Sequence, residues 1–192
     1  MGHFTALLAV ILTGMFGAYW GNASREDITI KAPGFEQSIK ECLGDGLEAR
    51  IRFDIRLCRH YGVWFDGCAQ ERAEHHTISF DEITESYRVV SDRFGDESSP
   101  VAVGIPSKQE AISTTLTVEG VTVSFLARGN AKLSADPRAY IQVRGTFSCK
   151  GSVNRTLARL SQIFTLGMVN TMETTSDWYD FDVSSGVVNL PD

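Results

Sequence analysis

From residue 47 the chain alternates without a break. Leu47, Ala49, Ile51, Phe53, Ile55 and Leu57 fall on one side of an extended chain, and Glu48, Arg50, Arg52, Asp54 and Arg56 on the other. Successive side chains of a strand point to opposite faces, so this pattern predicts a strand with one buried and one wet face, the habit of an antiparallel sheet. The aromatic, glycine-punctuated stretch Tyr61-Gly62-Val63-Trp64-Phe65-Asp66-Gly67 then predicts a hairpin turn. A return strand follows over residues 73–83, with Ile78 and Phe80 on its apolar side.

The same reading places other elements around this hairpin. Ile28-Thr29-Ile30 reads as a short strand, and residues 38–43 (SIKECL) as a short helix stopped by Gly44 and Gly46. Tyr87-Arg88-Val89-Val90 reads as a strand, and residues 95–100 as a polar loop. Ser107-Lys108-Gln109-Glu110 fits a capping box for a helix over 107–117, with Ala111, Ile112, Thr115 and Leu116 behind it. Val121, Val123 and Phe125 alternate and predict a strand; Asp136-Pro137 marks a turn; Ile141, Val143 and Phe147 then oppose Tyr140, Gln142 and Arg144 on a further half-buried strand. Asn154 caps an expected helix carrying Leu157, Leu160, Ile163 and Phe164 on one face. In residues 177–183 (DWYDFDV), Tyr179, Phe181 and Val183 share one strand face, with Trp178, Asp180 and Asp182 on the other. The tail after Ser184 reads as loosely ordered. Together these predict an α+β fold, a curved antiparallel sheet of about six to eight strands with about two or three short helices packed on it. The alternative is an all-β sandwich.

Composition adds a compartment. At 192 residues, 43% hydrophobic and 22% charged, the chain suits one folded domain. Residues 4–20 carry no charge and run up to Gly21-Asn22-Ala23, a small-x-small pattern suited to signal-peptidase cleavage. Residues 1–23 therefore read as a signal peptide or as an N-terminal membrane anchor through residues 4–20. Residues 24–192 read as one exported domain with its core over 28–183. The expected location is periplasmic or secreted, or anchored in the inner membrane with the domain facing the periplasm. A net charge of −6, and Glu48 and Asp54 interrupting Arg50, Arg52 and Arg56 on one strand, speak against nucleic acid as a partner.

Candidate chemistry is sparse. Cys42, Cys58, Cys68 and Cys149 allow disulfides in an exported chain, with free buried thiols as the alternative. Cys58 and Cys68 flank the hairpin turn, but Cys58 shares the charged face whereas Cys68 falls in phase with Ile78 and Phe80. A bridge between them therefore needs a bulge or loop irregularity. Cys58, His60, Cys68 and the pair His75-His76 are the candidate metal ligands, thiolate and imidazole being natural zinc donors. Adjacent histidines on a strand point to opposite faces, so the plainer account is polar histidines on a wet strand. No nucleophile-elbow, metalloprotease-helix or Ser-x-x-Lys motif is present, no glycine-rich phosphate loop follows a strand, and neither an enzyme nor a cofactor is expected. The carboxylates Asp81-Glu82 and Asp180-x-Asp182 read as solubilising. The sequons at Asn22 and Asn154 read as chance matches. Trp64 and Phe65 at the hairpin tip, and Trp178 on a polar strand face, are candidate anchors for a partner, packing beneath a neighbouring loop being the plain alternative.

The order of these elements resembles a known family. The carriers are Phe35-Glu36-Gln37-Ser38-Ile39 leading through Leu43-Gly44-Asp45-Gly46 into the alternating strand, then Trp64, then Ser79-Phe80-Asp81-Glu82-Ile83-Thr84-Glu85-Ser86-Tyr87-Arg88-Val89, and the closing Asp177-Trp178-Tyr179-Asp180-Phe181. They resemble the bacterial envelope family catalogued as domain of unknown function 4390. That family typically shows a Leu-Pro-containing segment ahead of its final strand, where this chain has a Ser- and Arg-containing stretch. The resemblance implies a small periplasmic protein with an N-terminal hydrophobic segment, and brings no catalytic residue or cofactor with it. The function expected is non-enzymatic binding of an envelope protein or peptide, through a sheet edge or the aromatic hairpin tip. The alternative is a small-molecule or lipid ligand held between sheet and helices.

Overall fold

A computed structural model of the chain describes residues 27–61, 66–93, 99–127, 130–134, 136–150, 172–183 and 186–191. In chain order the elements are β1 (Ile28–Lys31), a 3-10 turn (Pro33–Phe35), α1 (Glu36–Gly44), β2 (Glu48–Arg59), β3 (Gly67–Cys68), β4 (Arg72–Asp81), β5 (Ser86–Asp92) and β6 (Val101–Ile105). There follow α2 (Lys108–Thr115), β7 (Thr117–Val121), α3 (Val123–Leu126), α4 (Ala131–Ser134), β8 (Ala139–Lys150), β9 (Met172–Thr175), β10 (Tyr179–Asp182) and β11 (Val187–Asn189).

The fold is α+β, as the sequence predicts. A curled antiparallel sheet of eight strands has the order β10-β8-β2-β4-β5-β6, with β3 also on β2 and β9 also on β8. A small sheet, β11-β1-β7, stands beside it, its β1–β11 pair parallel. The alternating stretch becomes β2, flanked by β4 and β8. Its Ala49, Ile51, Phe53, Ile55 and Leu57 are wholly buried, in one cluster with Ile39 of α1, Ile112 of α2, Ile30 of β1 and Val188 of β11. Each large side chain so buried contributes about 1.5–3 kcal/mol.

The helix ends are set by their sequence. Gly46 takes φ 70° after α1 while the Leu47 and Gly46 amides donate to Cys42 O and Leu43 O, a Schellman ending that needs a residue tolerant of the left-handed region. Ser107 caps α2, its hydroxyl accepting from the Glu110 amide. The Cys42–Cys149 disulfide fastens α1 to β8.

Several expectations are corrected. The strand proposed through Val121, Val123 and Phe125 ends at Val121. Thr122 then caps α3, its hydroxyl accepting from the Phe125 amide, so Val123 is buried as a helical residue. The tail is not loose: Val187–Asn189 pairs with β1, and Val188 and Leu190 are buried. The return strand stops at Asp81, whose carboxylate accepts from the Ile83 and Thr84 amides and turns the chain. β6 and β9 had no counterpart in the sequence reading. The helix expected at Asn154, the segment 1–23 and the hairpin-tip residues Trp64 and Phe65 lie outside the described residues.

Candidate functional site

β6 ends the large sheet. It pairs with β5 from Ser91↔Val101 to Tyr87↔Ile105, and among the described residues nothing pairs with its other edge. It lies between Pro100 and Pro106 and reads Val-Ala-Val-Gly-Ile, without a charge. Val101 and Val103 stand on the concave face with Val89 and Ile78, yet are 63% and 50% exposed. The helix α2 packs against β4, β5 and β6 but stops short of covering them. Between this helix and the sheet runs a groove whose apolar end, about 360 Å³, is lined by Val89, Val101, Val103, Ile105 and Pro106, with Glu110 and Thr114 from α2.

At Ser91, Val101 and Thr114 the apolar end meets a second cavity of about 630 Å³. Its chemistry comes from β4. Pairing of Ile55 with Arg72, Phe53 with Glu74 and Ile51 with His76 sets three polar side chains on the concave, core-facing side. Arg72 rests over the Phe125 ring of α3. Glu74 and His76 are buried, at 2% and 3% exposure. His76 Nδ1 lies 2.9 Å from the carbonyl of Thr115 and Nε2 lies 2.8 Å from Glu74 Oε1; Phe53 meets the ring edge-on. A carbonyl only accepts, so Nδ1 carries a hydrogen, and the Nε2···Oε1 contact then holds one proton between the two groups. Both imidazole nitrogens are thereby committed. Ser91 stands opposite His76 on the same face, but no ring nitrogen is left to serve it as a base. Arg93, at the exit of β5, completes the cluster: its Nε is 3.5 Å from Glu74 Oε2 and its Nη2 donates to the carbonyl of Glu119. Lys31, Thr117 and Glu119 from the small sheet close the far wall.

The residues singled out by sequence lie elsewhere. Cys58 and Cys68 form a disulfide as direct cross-strand neighbours. Ile55 pairs with Arg72, so unbroken pairing would set Cys58 opposite Ala69; one additional residue between β3 and β4 shifts the partner to Cys68. This is the irregularity that residue parity demands. Bridged sulfurs are not thiolate ligands, and no group of three or more metal-binding side chains occurs among the described residues. His60 stacks on Tyr140 at 4.2 Å and its Nδ1 faces Asp66 Oδ1 at 3.1 Å. The Tyr140 hydroxyl donates to Asp66 Oδ2 at 2.6 Å, which holds the Asp66 carboxyl below its ordinary range; burial and that carboxylate push the Tyr140 phenol up. His75 is on the convex face opposite Arg52 and Asp92, and burial, with Arg52, lowers its pKa. Trp178 is half-buried on that face, with the Arg56 and Arg144 guanidinium carbons 4.1 and 4.6 Å from its ring centroid. Beneath this layer Asp54 is 1% exposed and accepts from Arg52 at 2.5 Å and Arg144 at 2.8 Å.

Sequence reasoning missed the groove. One signal was available: Arg72, Glu74 and His76 share the phase of Ile78, so polar groups had to lie on the buried side of the return strand. The uncharged run between two prolines was a second.

A family model described as "Domain of unknown function (DUF4390)" matches residues 31–182. No curated protein and no solved structure matches the chain.

Proposed function

We propose that this chain, which belongs to the DUF4390 family, is a non-enzymatic envelope domain that binds an extended protein or peptide segment by adding it as a strand to β6. The observation that carries the reading is the edge left bare among the described residues: five consecutive uncharged residues with an unpaired side and two exposed valines. Sheet proteins ordinarily blunt such an edge with charge, a bulge or a covering element. An added strand gains main-chain hydrogen bonds there and sets alternate side chains into the apolar end of the groove. Export is supported by two disulfides and by the apolar residues 4–20. Among the described residues no helix is long and apolar enough to cross a membrane.

The test is a display screen of random extended peptides against the full chain, followed by amide hydrogen exchange. Bound peptides are expected to slow exchange in Val101–Ile105, and Val103→Lys to abolish capture. Peptides that protect another surface, or that bind Val103→Lys undiminished, would overturn the reading.

A second reading, a small ligand held between sheet and helices, draws on the 630 Å³ cavity, a size typical of ligand pockets. Lys31, Glu74, Arg93 and Glu119 line it, so the ligand would be polar rather than lipidic. Native mass spectrometry showing only the bare chain would remove it.

A further inference from the structure

We infer that the Cys58–Cys68 disulfide is a thiol–disulfide exchange site, entered at Cys68 by an external thiolate, whereas Cys42–Cys149 is a structural bridge. This goes beyond strand addition at β6 and does not depend on it.

One oxygen faces both sulfurs. Gln142 Oε1 lies 3.4 Å from Cys58 Sγ and 3.9 Å from Cys68 Sγ, within reach of a thiol's hydrogen bond. The amide is fixed in this orientation, because Arg56 Nε donates to Oε1 at 2.8 Å and Nε2 donates to Asp180 at 2.8 Å. A carbonyl oxygen accepts twice, and Arg56 uses one place. Bridged sulfurs have no hydrogen to give to the other; a thiol at Cys58 does. The reduced pair therefore gains a hydrogen bond that the disulfide cannot make, so the surroundings suit both states.

The two sulfurs differ in access. Cys58 is 0% exposed, with Tyr140 opposite it on β8 and His60 stacked on the Tyr140 ring. Cys68 is exposed, so an incoming thiolate meets its sulfur. The thiolate's electron pair forms a new S–S bond to Cys68, the Cys58–Cys68 bond breaks, and its electron pair leaves on Cys58. Through solvent, Cys58 takes up the proton that the attacking thiol lost on ionising, and the new thiol donates to Gln142 Oε1. A second thiol of the same kind then attacks the mixed disulfide at the partner's sulfur and releases Cys68, which is protonated in the same way. The attacking thiols end as a disulfide and the chain as a dithiol. Cys58 and Cys68 remain cross-strand neighbours, so an external disulfide reverses each step.

The other bridge is built differently. Cys42 and Cys149 are 3% and 8% exposed and belong to the core cluster. They stand 107 residues apart, against 10 for Cys58 and Cys68, and the longer closed loop constrains the unfolded chain more. Opening Cys58–Cys68 releases only the two-residue β3 from its covalent tie, while β2 keeps its pairing with β4 and β8. Exposed bridges are the labile class and enclosed ones resist exchange.

The test incubates the oxidised full chain with glutathione buffers of graded ratio and, separately, with reduced thioredoxin. Samples are acid-quenched and peptide-mapped while near-ultraviolet circular dichroism follows the fold. Cys58–Cys68 is expected to open at least about tenfold faster than Cys42–Cys149, with the dichroism kept and the glutathione adduct on Cys68. Faster opening by thioredoxin at equal thiol marks a protein thiol as the natural reactant, and faster opening by glutathione a small one. Gln142→Met keeps the side chain's length without its oxygen and should shift the glutathione equilibrium toward the disulfide by about threefold to tenfold. Asp180→Ala cuts the tie at Nε2 but leaves Arg56 on Oε1, and should move it by less than about twofold. Opening of both bridges together, opening only with loss of the fold, or an adduct on Cys58 overturns the exchange site. An unmoved equilibrium in Gln142→Met, or an equal shift in Asp180→Ala, overturns the part given to Gln142.

Discussion

The two margins of the large sheet are built on opposite principles. Along β8 the margin consists of two short strands, β9 and β10, set end to end. Ser176 closes the gap between them, its amide donating to Gly145 O and its hydroxyl accepting from the Gly145 amide. Asp180 and Asp182 stand on the convex side of β10, where Asp180 accepts from Gln142, which in turn accepts from Arg56. At the other margin β6 is continuous and uncharged, and among the described residues its outer side is open. Broken and charged edges resist further pairing, whereas a continuous uncharged edge offers no such resistance. The contrast teaches where to look for a partner: at the margin that, among the described residues, carries neither a charge nor a pairing strand.

If the convex layer holds the β8 margin, the largest loss comes from its centre. Asp54→Ala strips Arg52 and Arg144 of their buried acceptor and is expected to cost about 2–3 kcal/mol in urea unfolding. A loss under about 0.5 kcal/mol would show that the layer only decorates the margin. Trp178→Ala should cost less, about 1–2 kcal/mol, because the two guanidinium stacks are only partly desolvated. The same unfolding curve measures it.

Of the two margins only β10 was legible in the chain, although much of the sheet between them was, and the misses have physical causes. β2 was readable because its apolar residues from Ala49 to Leu57 keep one two-residue period. The capping box of α2 was readable because Ser107 and Glu110 are local partners. β6 was missed because four of its five residues are exposed, so no alternation of buried and wet positions marks it. β11 was missed because its partner β1 lies at the opposite end of the sequence, and a parallel pair leaves no turn signature. Val123 and Phe125 look like strand residues, but the Thr122 cap decides for a helix over four residues, too short for helical periodicity to show. The groove joins β1, β4, β5, β6, α2 and β7, and no local pattern announces such a junction. Its polar residues were visible only as a break in the phase of β4.

The open margin should respond in the reverse manner, with function lost and stability kept. Val101→Lys with Val103→Lys changes two exposed side chains, so unfolding should shift by no more than about 0.5 kcal/mol. Peptide capture at β6 should be lost in the same protein. A large destabilisation would mean that the valines belong to the core, and the contrast between the margins would fail.

The smallest expected effect lies between the margins, at His75 on the convex face. Arg52 of β2 and Asp92 of β5 stand opposite it, with Arg50 and Asp54 nearby. Burial comes first and Arg52 second in lowering its pKa from 6.5; Asp92 and Asp54 pull the other way. The folded chain therefore binds this proton less readily than the unfolded chain. Its contribution to stability is whole above pH 6.5 and is lost as the pH falls through the depressed folded value. Glu36, Asp66, Asp81 and Asp136 are also depressed, but from ordinary values of 4.5 or below, so their losses come at lower pH. Unfolding midpoints taken from pH 7.5 down to about 5 should decline in the parent chain and decline less in His75→Gln. Equal slopes would mean that Asp92 and Asp54 cancel the burial and the arginines, and that the convex face between the margins is electrostatically balanced at this position.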